Sequence, residues 1–255
     1  MIQLSEHRHA RILHLVNSRG VLTVAELARL VQTSLMTIRR DLSLLDAKGL
    51  LRRFRGGATA LSVSRDLPLQ RRERLELQAK TAIGRLAATL VQPGETIFLD
   101  AGTTVFAMAK AVRSVPNLTV VTNSIQVLSE LWNRPGLRMV ALGGVVQRTS
   151  SSLTGALAIK SLQEIRVDRA FLGTIGVTTH WEASNSDLDR AALQRHILSV
   201  ARDSYLLADH TKFGRAGVAI VAPLRAFTAV ITDGKMPSSL RAQLEKHARR
   251  AAIAN

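Results

Sequence analysis

Apolar residues recur at helical spacing through the first fifty positions. Ile12, Leu13, Leu15 and Val16 mark one helix, which Gly20 ends. "LTVAELARLV" follows, with Thr23 as an N-cap and Glu26 three residues on, the pattern of a capping box. A polar break, "QTS", leads to a third helix, "SLMTIRRDLSLLDAKG". Leu35, Ile38, Leu42 and Leu45 predict its buried face, and Gly49 closes it. "LLRRFRGGATAL" changes to β-type character around a Gly-Gly turn. Three short helices and a small hairpin predict a winged helix-turn-helix over 5–60, with the helix-turn-helix at about 22–41. Residues 61–80, charged and with one Pro, read as a linker merging into a helix. From Thr81 the texture alternates between helices and short apolar strands: "ETIFLD", "LTVVTN", "LRMVALGG", "DRAFLGTIG", "SYLLADH" and "AFTAVITD". Their near-continuous apolar character predicts strands buried on both faces of a mainly parallel sheet, an α/β domain over 81–240. "LRAQLEKHARRAAI" predicts a C-terminal helix within 241–255.

Charge then narrows the partner. The 255 residues carry 35 Lys and Arg against 19 Asp and Glu, a formal net charge of +16. Such an excess favours a polyanion, nucleic acid or an anionic membrane surface. Residues 1–60 hold ten of the cations against four acids, a net charge of about +6. No cysteine is present, which excludes disulfides and thiolate metal sites. The first twenty residues mix charge into their apolar positions, unlike a signal peptide, and no stretch approaches a membrane span. The expectation is a cytoplasmic protein that does not engage a membrane. Aromatics are only 4% of the chain, which disfavours single-strand binding by base stacking.

A helix-turn-helix lays its second helix in the major groove and reads bases from that helix's N-terminal residues. Ser34, Met36, Thr37, Arg39 and Arg40 fall on the outward side here. Arg52, Arg53 and Arg55 flank the Gly-Gly tip of the wing. An arginine fork suits guanine or phosphate equally, and both readings stay open. The expected partner is double-stranded operator DNA, bound by a homodimer or homotetramer.

In the α/β half, "LDAGTT" is a strand, a tight turn and a helix start. Gly102, Thr103 and Thr104 would offer free amides, and the helix dipole, to a phosphate. Asp100 stands beside them. Thr122, Asn123 and Ser124 end the next strand; Gly143 and Gly144 end the one after; Gly173 follows "DRAFL". Turns at the carboxyl ends of strands in one open sheet converge on one crevice. Asp209 and Lys212 in "ADHTKFG" complete the candidate set, Lys212 as a point charge for phosphate. His210 suits a hydrogen bond to ligand or loop. His196 reads as a partly exposed helix residue, and Asp187 and Asp189 as a solvated helix start. No motif calls for a metal or a cofactor.

"TIRRDLSLLDAKGLLRRFRGGA" resembles the signature of the DeoR family of bacterial transcriptional regulators. The resemblance extends through "LDAGTT", "VVTNS", "LGG", "DRAFLG" and "LLADHTKFG", nearly the whole chain. Many members carry a histidine before the Gly-Gly of the wing, where this chain has Arg55. The resemblance implies a winged helix joined to a sugar-phosphate sensor similar to ribose-5-phosphate isomerase. The implied function is a repressor of a sugar or polyol catabolic operon, modulated by a phosphorylated effector. "DHTKFGR" and "QAKTAIGRLA" are similar to the glycerol-3-phosphate regulon repressor branch, which implies a small polyol phosphate. The alternative is an isomerase-like enzyme fused to a DNA-binding domain. Such isomerases carry a D-G-A-D-E turn; "FLGTIGV" has no carboxylate, so no catalytic residues are expected.

Overall fold

The computed structural model describes residues 2–19, 21–48, 50–54, 56–59 and 69–255. The chain divides into two compact units, Met1–Leu67 and Pro68–Asn255.

The first unit runs α1 (Ile2–Arg19), β1 (Val21–Thr23), α2 (Val24–Val31), α3 (Leu35–Ala47), β2 (Arg52–Phe54) and β3 (Gly57–Thr59). The capping box forms as its sequence predicts. Glu26 N donates to Thr23 Oγ1 at 3.2 Å, and Thr23 N donates to Glu26 Oε2 at 2.7 Å. Ile12, Val16, Leu27, Ile38, Leu42, Leu45, Leu51 and Ala58 make the core. The wing is a three-stranded sheet ordered β1-β3-β2, because β1 adds to the hairpin. Leu35 departs from the expected buried face: it stands in the first turn of α3, beyond the reach of this small core, and is 47% exposed. Gly20, Gly49 and Arg55 lie outside the described residues.

The second unit begins earlier than the expected linker allows. Residues 61–68 lie outside the described residues, but 69–80 are largely helical: α4 (Leu69–Arg74) and α5 (Leu77–Ala88). The expected helix into which the linker merges is thus present, and Lys80 within it is buried, donating from Nζ to the carbonyls of Arg72 (2.9 Å) and Leu75. There follow β4 (Thr96–Leu99), α6 (Thr103–Ala111), β5 (Thr119–Thr122), α7 (Ile125–Leu131), β6 (Arg138–Ala141), β7 (Val145–Gln147), β8 (Ser152–Thr154), α8 (Ala156–Gln163), β9 (Val167–Gly173), β10 (Gly176–Val177), β11 (Glu182–Asn185), α9 (Leu188–Val200), β12 (Ala201–Leu207), β13 (Ala219–Pro223), β14 (Ala229–Asp233), α10 (Ser238–His247) and β15 (Ala251–Ala254).

Seven strands form one parallel sheet ordered β15-β14-β12-β9-β4-β5-β6. The six apolar runs fit because alternate side chains serve two cores. Ile97, Leu99, Phe171, Leu207 and Ile231 pack with α5, α6 and α7, while Phe98, Leu172, Leu206 and Val230 pack with α8, α9 and α10. The expected helix over 241–255 stops at His247. Ala251–Ala254 instead extends the sheet, pairing Val230 with Ala251 through Asp233 with Ala254. The open edge of β14 outweighs alanine's helix preference there. Among the described residues no helix is long and apolar enough to cross a membrane.

Strand order sets the crevice. From β4 the chain goes outward through β5 and β6, then returns to β9 on the other side of β4 and continues away. The β4–β9 boundary is therefore a topological switch point, where the carboxyl ends of parallel strands leave a crevice.

Candidate functional site

In the first unit, the arginine-rich motif separates into three roles. Ile38 and Leu42 face the core, Arg39 and Arg40 are exposed, and Asp41 turns inward. Arg8 grips that carboxylate with Nε to Oδ2 at 2.6 Å and Nη2 to Oδ1 at 3.1 Å, and His9 Nε2 lies 2.9 Å from Oδ1. Asp41 thus pins α1 to α3. Burial pushes its pKa up, but the bonds from Arg8 and His9 outweigh burial and hold it below the ordinary carboxylate value. Ser34 is the N-cap of α3: its Oγ accepts from Thr37 N at 3.1 Å and lies 2.9 Å from Thr37 Oγ1. Met36, 59% exposed, stands beside them. Arg53 lies along α3, its guanidinium donating to Ser43 Oγ and its amide to Asp46 Oδ1 at 3.3 Å. Arg39, Arg40, Ser43, Leu44 and Arg53 line one open concavity. Arg52 is on β2; Arg55 lies outside the described residues.

At the switch point of the second unit, Gly102 and Gly173 face each other. A Cβ built on Gly102 would lie 4.0 Å from the Gly173 Cα. Gly102 is the N-cap of α6 and brings no side chain to that helix's first amides. Thr103 is half-buried and Thr104 is buried in the first turn. Asp100, fully buried, is a strut. Its Oδ2 accepts from Gly173 N at 3.2 Å and Gln194 Nε2 at 2.7 Å. Burial raises its pKa, against the opposing charge of Arg190 and these bonds.

Several expected ligands serve as struts beneath this turn. Thr122 Oγ1 donates to Leu99 O at 2.6 Å and accepts from Ser124 N at 3.0 Å. Asn123 Oδ1 accepts from Ala101 N at 3.1 Å, and Ser124 Oγ caps α7 through Val127 N at 3.3 Å. All three are buried. Gly143 and Gly144 end edge strand β6, two strands and about 10 Å from β4. Gly144 has φ +131°, and a Cβ there would meet Thr154 O at 2.3 Å, so it serves the β7–β8 hairpin. His210 is a tie between strand ends: its amide donates to Asp233 Oδ1 at 2.8 Å and its Nδ1 lies 2.9 Å from Oδ2. Asp187 caps α9 through Arg190 N at 2.9 Å.

The strongest electrostatic feature is a set of cations that the sequence reading missed. Lys212 is joined by Arg72, Lys80, Arg190 and Arg215. Burial lowers the pKa of Arg72, with the charge of Arg190 adding to it. Burial likewise lowers Lys212, which Arg215 and Arg72 depress further while Asp209 opposes. Arg215 is lowered by burial against the same Asp209. Lys80 falls to about 8, chiefly by burial, with Lys212 and Arg72 adding to the fall. Among the described residues, buried Arg72 Nε, Arg190 Nε and Asp209 Oδ2 have no hydrogen-bond partner. Arg190 Nη2 donates to Ala101 O at 2.6 Å, which fixes this guanidinium beside the Gly102 turn. Several like charges drawn partly out of water, with donor atoms unmatched, are an arrangement that an anion would relieve. "DHTKFGR" already contained Arg215; Arg72 and Lys80 were hidden in chain that resembled a linker.

Two domain families match this sequence. Residues 8–63 match the DeoR-like helix-turn-helix domain, and residues 75–234 match the DeoR C terminal sensor domain. The chain belongs to the DeoR family. Full-length relatives agree. It is 34% identical to the uncharacterized HTH-type transcriptional regulator YgbI of Escherichia coli (strain K12), over 94% of each chain. It is 31% identical to the glycerol-3-phosphate regulon repressor of the same organism, over 94% of this chain and 95% of that one. Among solved structures, a D-ribose-5-phosphate isomerase in complex with phospho-erythronic acid matches 54% of each chain at 15% identity and a TM-score of 0.41, too slight a likeness to bear on chemistry. This DeoR-family chain is a transcriptional regulator, not an isomerase-like enzyme.

Proposed function

We propose that this DeoR-family regulator is a cytoplasmic repressor of a sugar or polyol catabolic operon, and that a phosphorylated sugar or polyol in the switch-point crevice releases or modulates it. The winged helix binds double-stranded operator DNA through Ser34, Met36, Thr37, Arg39, Arg40 and the wing arginines Arg52, Arg53 and Arg55, as a homodimer or homotetramer. A single module of this size buries little DNA surface, roughly 600–1,000 Å², and pairing on neighbouring half-sites supplies the remaining affinity. The observation that carries the effector reading is the gathering of Arg72, Lys80, Arg190, Lys212 and Arg215, with Arg190 bonded to Ala101 O beside the start of α6, which has no side-chain cap. Phosphate would sit on the amides of Gly102, Thr103 and Thr104 with Lys212 alongside, and Gly173 leaves room for it. Asp209, with one buried oxygen unmatched, would accept from a sugar hydroxyl. Asp100, Thr122, Asn123 and Ser124 hold these groups in place from beneath.

A thermal-shift screen of phosphorylated sugars and polyols against the full chain tests this, with glycerol 3-phosphate first because of the 31% relative. A true effector at a hundredfold excess over its Kd stabilises the sensor by about 2.7 kcal/mol, a rise of roughly 5–10 °C. Shifts produced by free sugars and by no phosphate ester would overturn the reading.

A further inference from the structure

Arg72 differs from the other crevice cations in where its chain leads. It sits on α4, the first element of the second unit, and residues 60–68 join that element to the wing strand β3. With six residues, α4 is less than two turns long, too short to hold helical form unaided. Side chains tie it down. Arg72 Nη2 donates to Thr149 O at 2.6 Å, in the turn of the β7–β8 hairpin. Gln126 Nε2 donates to Glu73 Oε1 at 2.5 Å. Lys80 Nζ donates to the carbonyls of Arg72, in the last turn of α4, and of Leu75, just past its end.

Two of those three ties are made by crevice cations. The hairpin that Arg72 grips is itself bonded to the strand ends, Leu153 N to Asn123 O at 2.8 Å and Ile125 N to Ser151 O at 2.9 Å. The guanidinium has one fork on that hairpin, while its Nε is buried with no acceptor among the described residues. Arg190, 92% buried by its 8% exposure, has an unmatched Nε as well and lies within electrostatic range of Arg72. An anion bonded to Arg72 Nε would match a donor that the fold leaves without an acceptor and would offset the repulsion from Arg190.

We propose that Arg72 is a direct ligand to the anionic group of the effector, and that this bond fastens α4 to the crevice, so that effector binding stiffens the point where the chain arrives from the DNA-binding unit. The inference rests on the anion-binding reading of the crevice and adds its means of transmission. Arg72 is then both ligand and strap. Lys212, Arg190 and Arg215 bind without pulling on α4.

Inorganic phosphate titrated into the full-length protein separates these roles, with affinity read by calorimetry and α4 read by hydrogen exchange of residues 69–76. The wild type should bind phosphate and gain protection in 69–76. Lys212→Gln should bind about tenfold or more weakly, yet still protect 69–76 once saturated. Arg72→Gln should bind weakly and leave 69–76 unprotected even at saturation. If Arg72→Gln does not fold, Arg72→Lys keeps the charge but loses the Nε donor, and it should show the same loss of protection. Phosphate binding by the wild type, with an Arg72 variant that protects 69–76 as fully, overturns the strap and leaves the anion crevice standing. No phosphate binding by the wild type overturns both.

Discussion

Asp41 shows how one residue in a basic stretch can serve the fold while its neighbours Arg39 and Arg40 stay exposed. Its folded pKa lies below its unfolded one, so its contribution is fully present above the unfolded value and is lost as pH falls through the folded one. The first unit should therefore lose stability below about pH 4. Asp41→Asn should destabilise it by about 1–3 kcal/mol at neutral pH and flatten that acid dependence, as thermal unfolding of the full chain at neutral pH and near pH 3 would report. Unchanged stability in the variant would dismiss the strut. Lys80 shifts stability with pH in the same direction for a different reason, since burial disfavours its charged form. Its pKa falls from 10.5 to about 8, so within that window the unfolded chain holds a proton the folded chain lacks, and stability rises with pH. A bound anion favours the charged ammonium. Effector binding near pH 8.5 should thus take up protons, measured as a difference in binding heat between two buffers of unlike ionisation enthalpy. Equal heats would contradict a cationic crevice. Neither role was legible in the sequence. A charged residue reads there as solvated, and only the packing reveals that Asp41, Arg72 and Lys80 turn inward.

Elements were more legible than residues, because period and capping are local. The capping box at Thr23, Ser34 at the head of α3 and six of the seven parallel strands follow from spacing and composition. β15 did not, because "AAIA" is a helix former by local preference and becomes a strand only beside the edge of β14. The turns at strand ends were found, but their division of labour was not. Thr122, Asn123 and Ser124 look like ligands by type, whereas in the fold their polar atoms close on neighbouring backbone. The α6 turn is the element expected to meet the effector. Gly102 has φ 166°, extended backbone open to any residue, and an added Cβ meets nothing nearer than 4.0 Å. Gly102→Ala should then keep its stability within about 1 kcal/mol. It should nevertheless weaken binding of a phosphorylated effector, because the methyl group would fill the space between Gly102 and Gly173 that the phosphate is proposed to use. A variant that binds as tightly as wild type in calorimetry would move the phosphate away from α6.

At the scale of the whole molecule, a net charge of +16 is spread over both units. On the first unit, Arg39→Ala and Arg40→Ala should each weaken operator binding. A base-reading arginine costs about 1–3 kcal/mol and relaxes one position, while a phosphate contact weakens all sequences and lowers the salt slope by about 1. Wild-type affinity in both variants would remove α3 from the major groove. On the second unit five cations, Arg72, Lys80, Arg190, Lys212 and Arg215, crowd together, an arrangement suited to a small anion rather than a polymer. Family and fold class were readable from the sequence across nearly the whole chain. The cation cluster was not, since Arg72, Lys80, Arg190 and Arg215 are brought together only by the parallel sheet and its switch point. The central claim is that this cluster and the α6 turn recognise the phosphate of an effector. Calorimetric titration of the full chain with a sugar phosphate found in the screen, beside the same sugar unphosphorylated, tests it most directly, with Thr103→Glu as the comparison. The phosphate ester should bind far more tightly than the free sugar. Thr103→Glu, which sets a carboxylate where the phosphate belongs, should lose that binding. Equal affinity for sugar and ester, with Thr103→Glu behaving as wild type, would contradict the account.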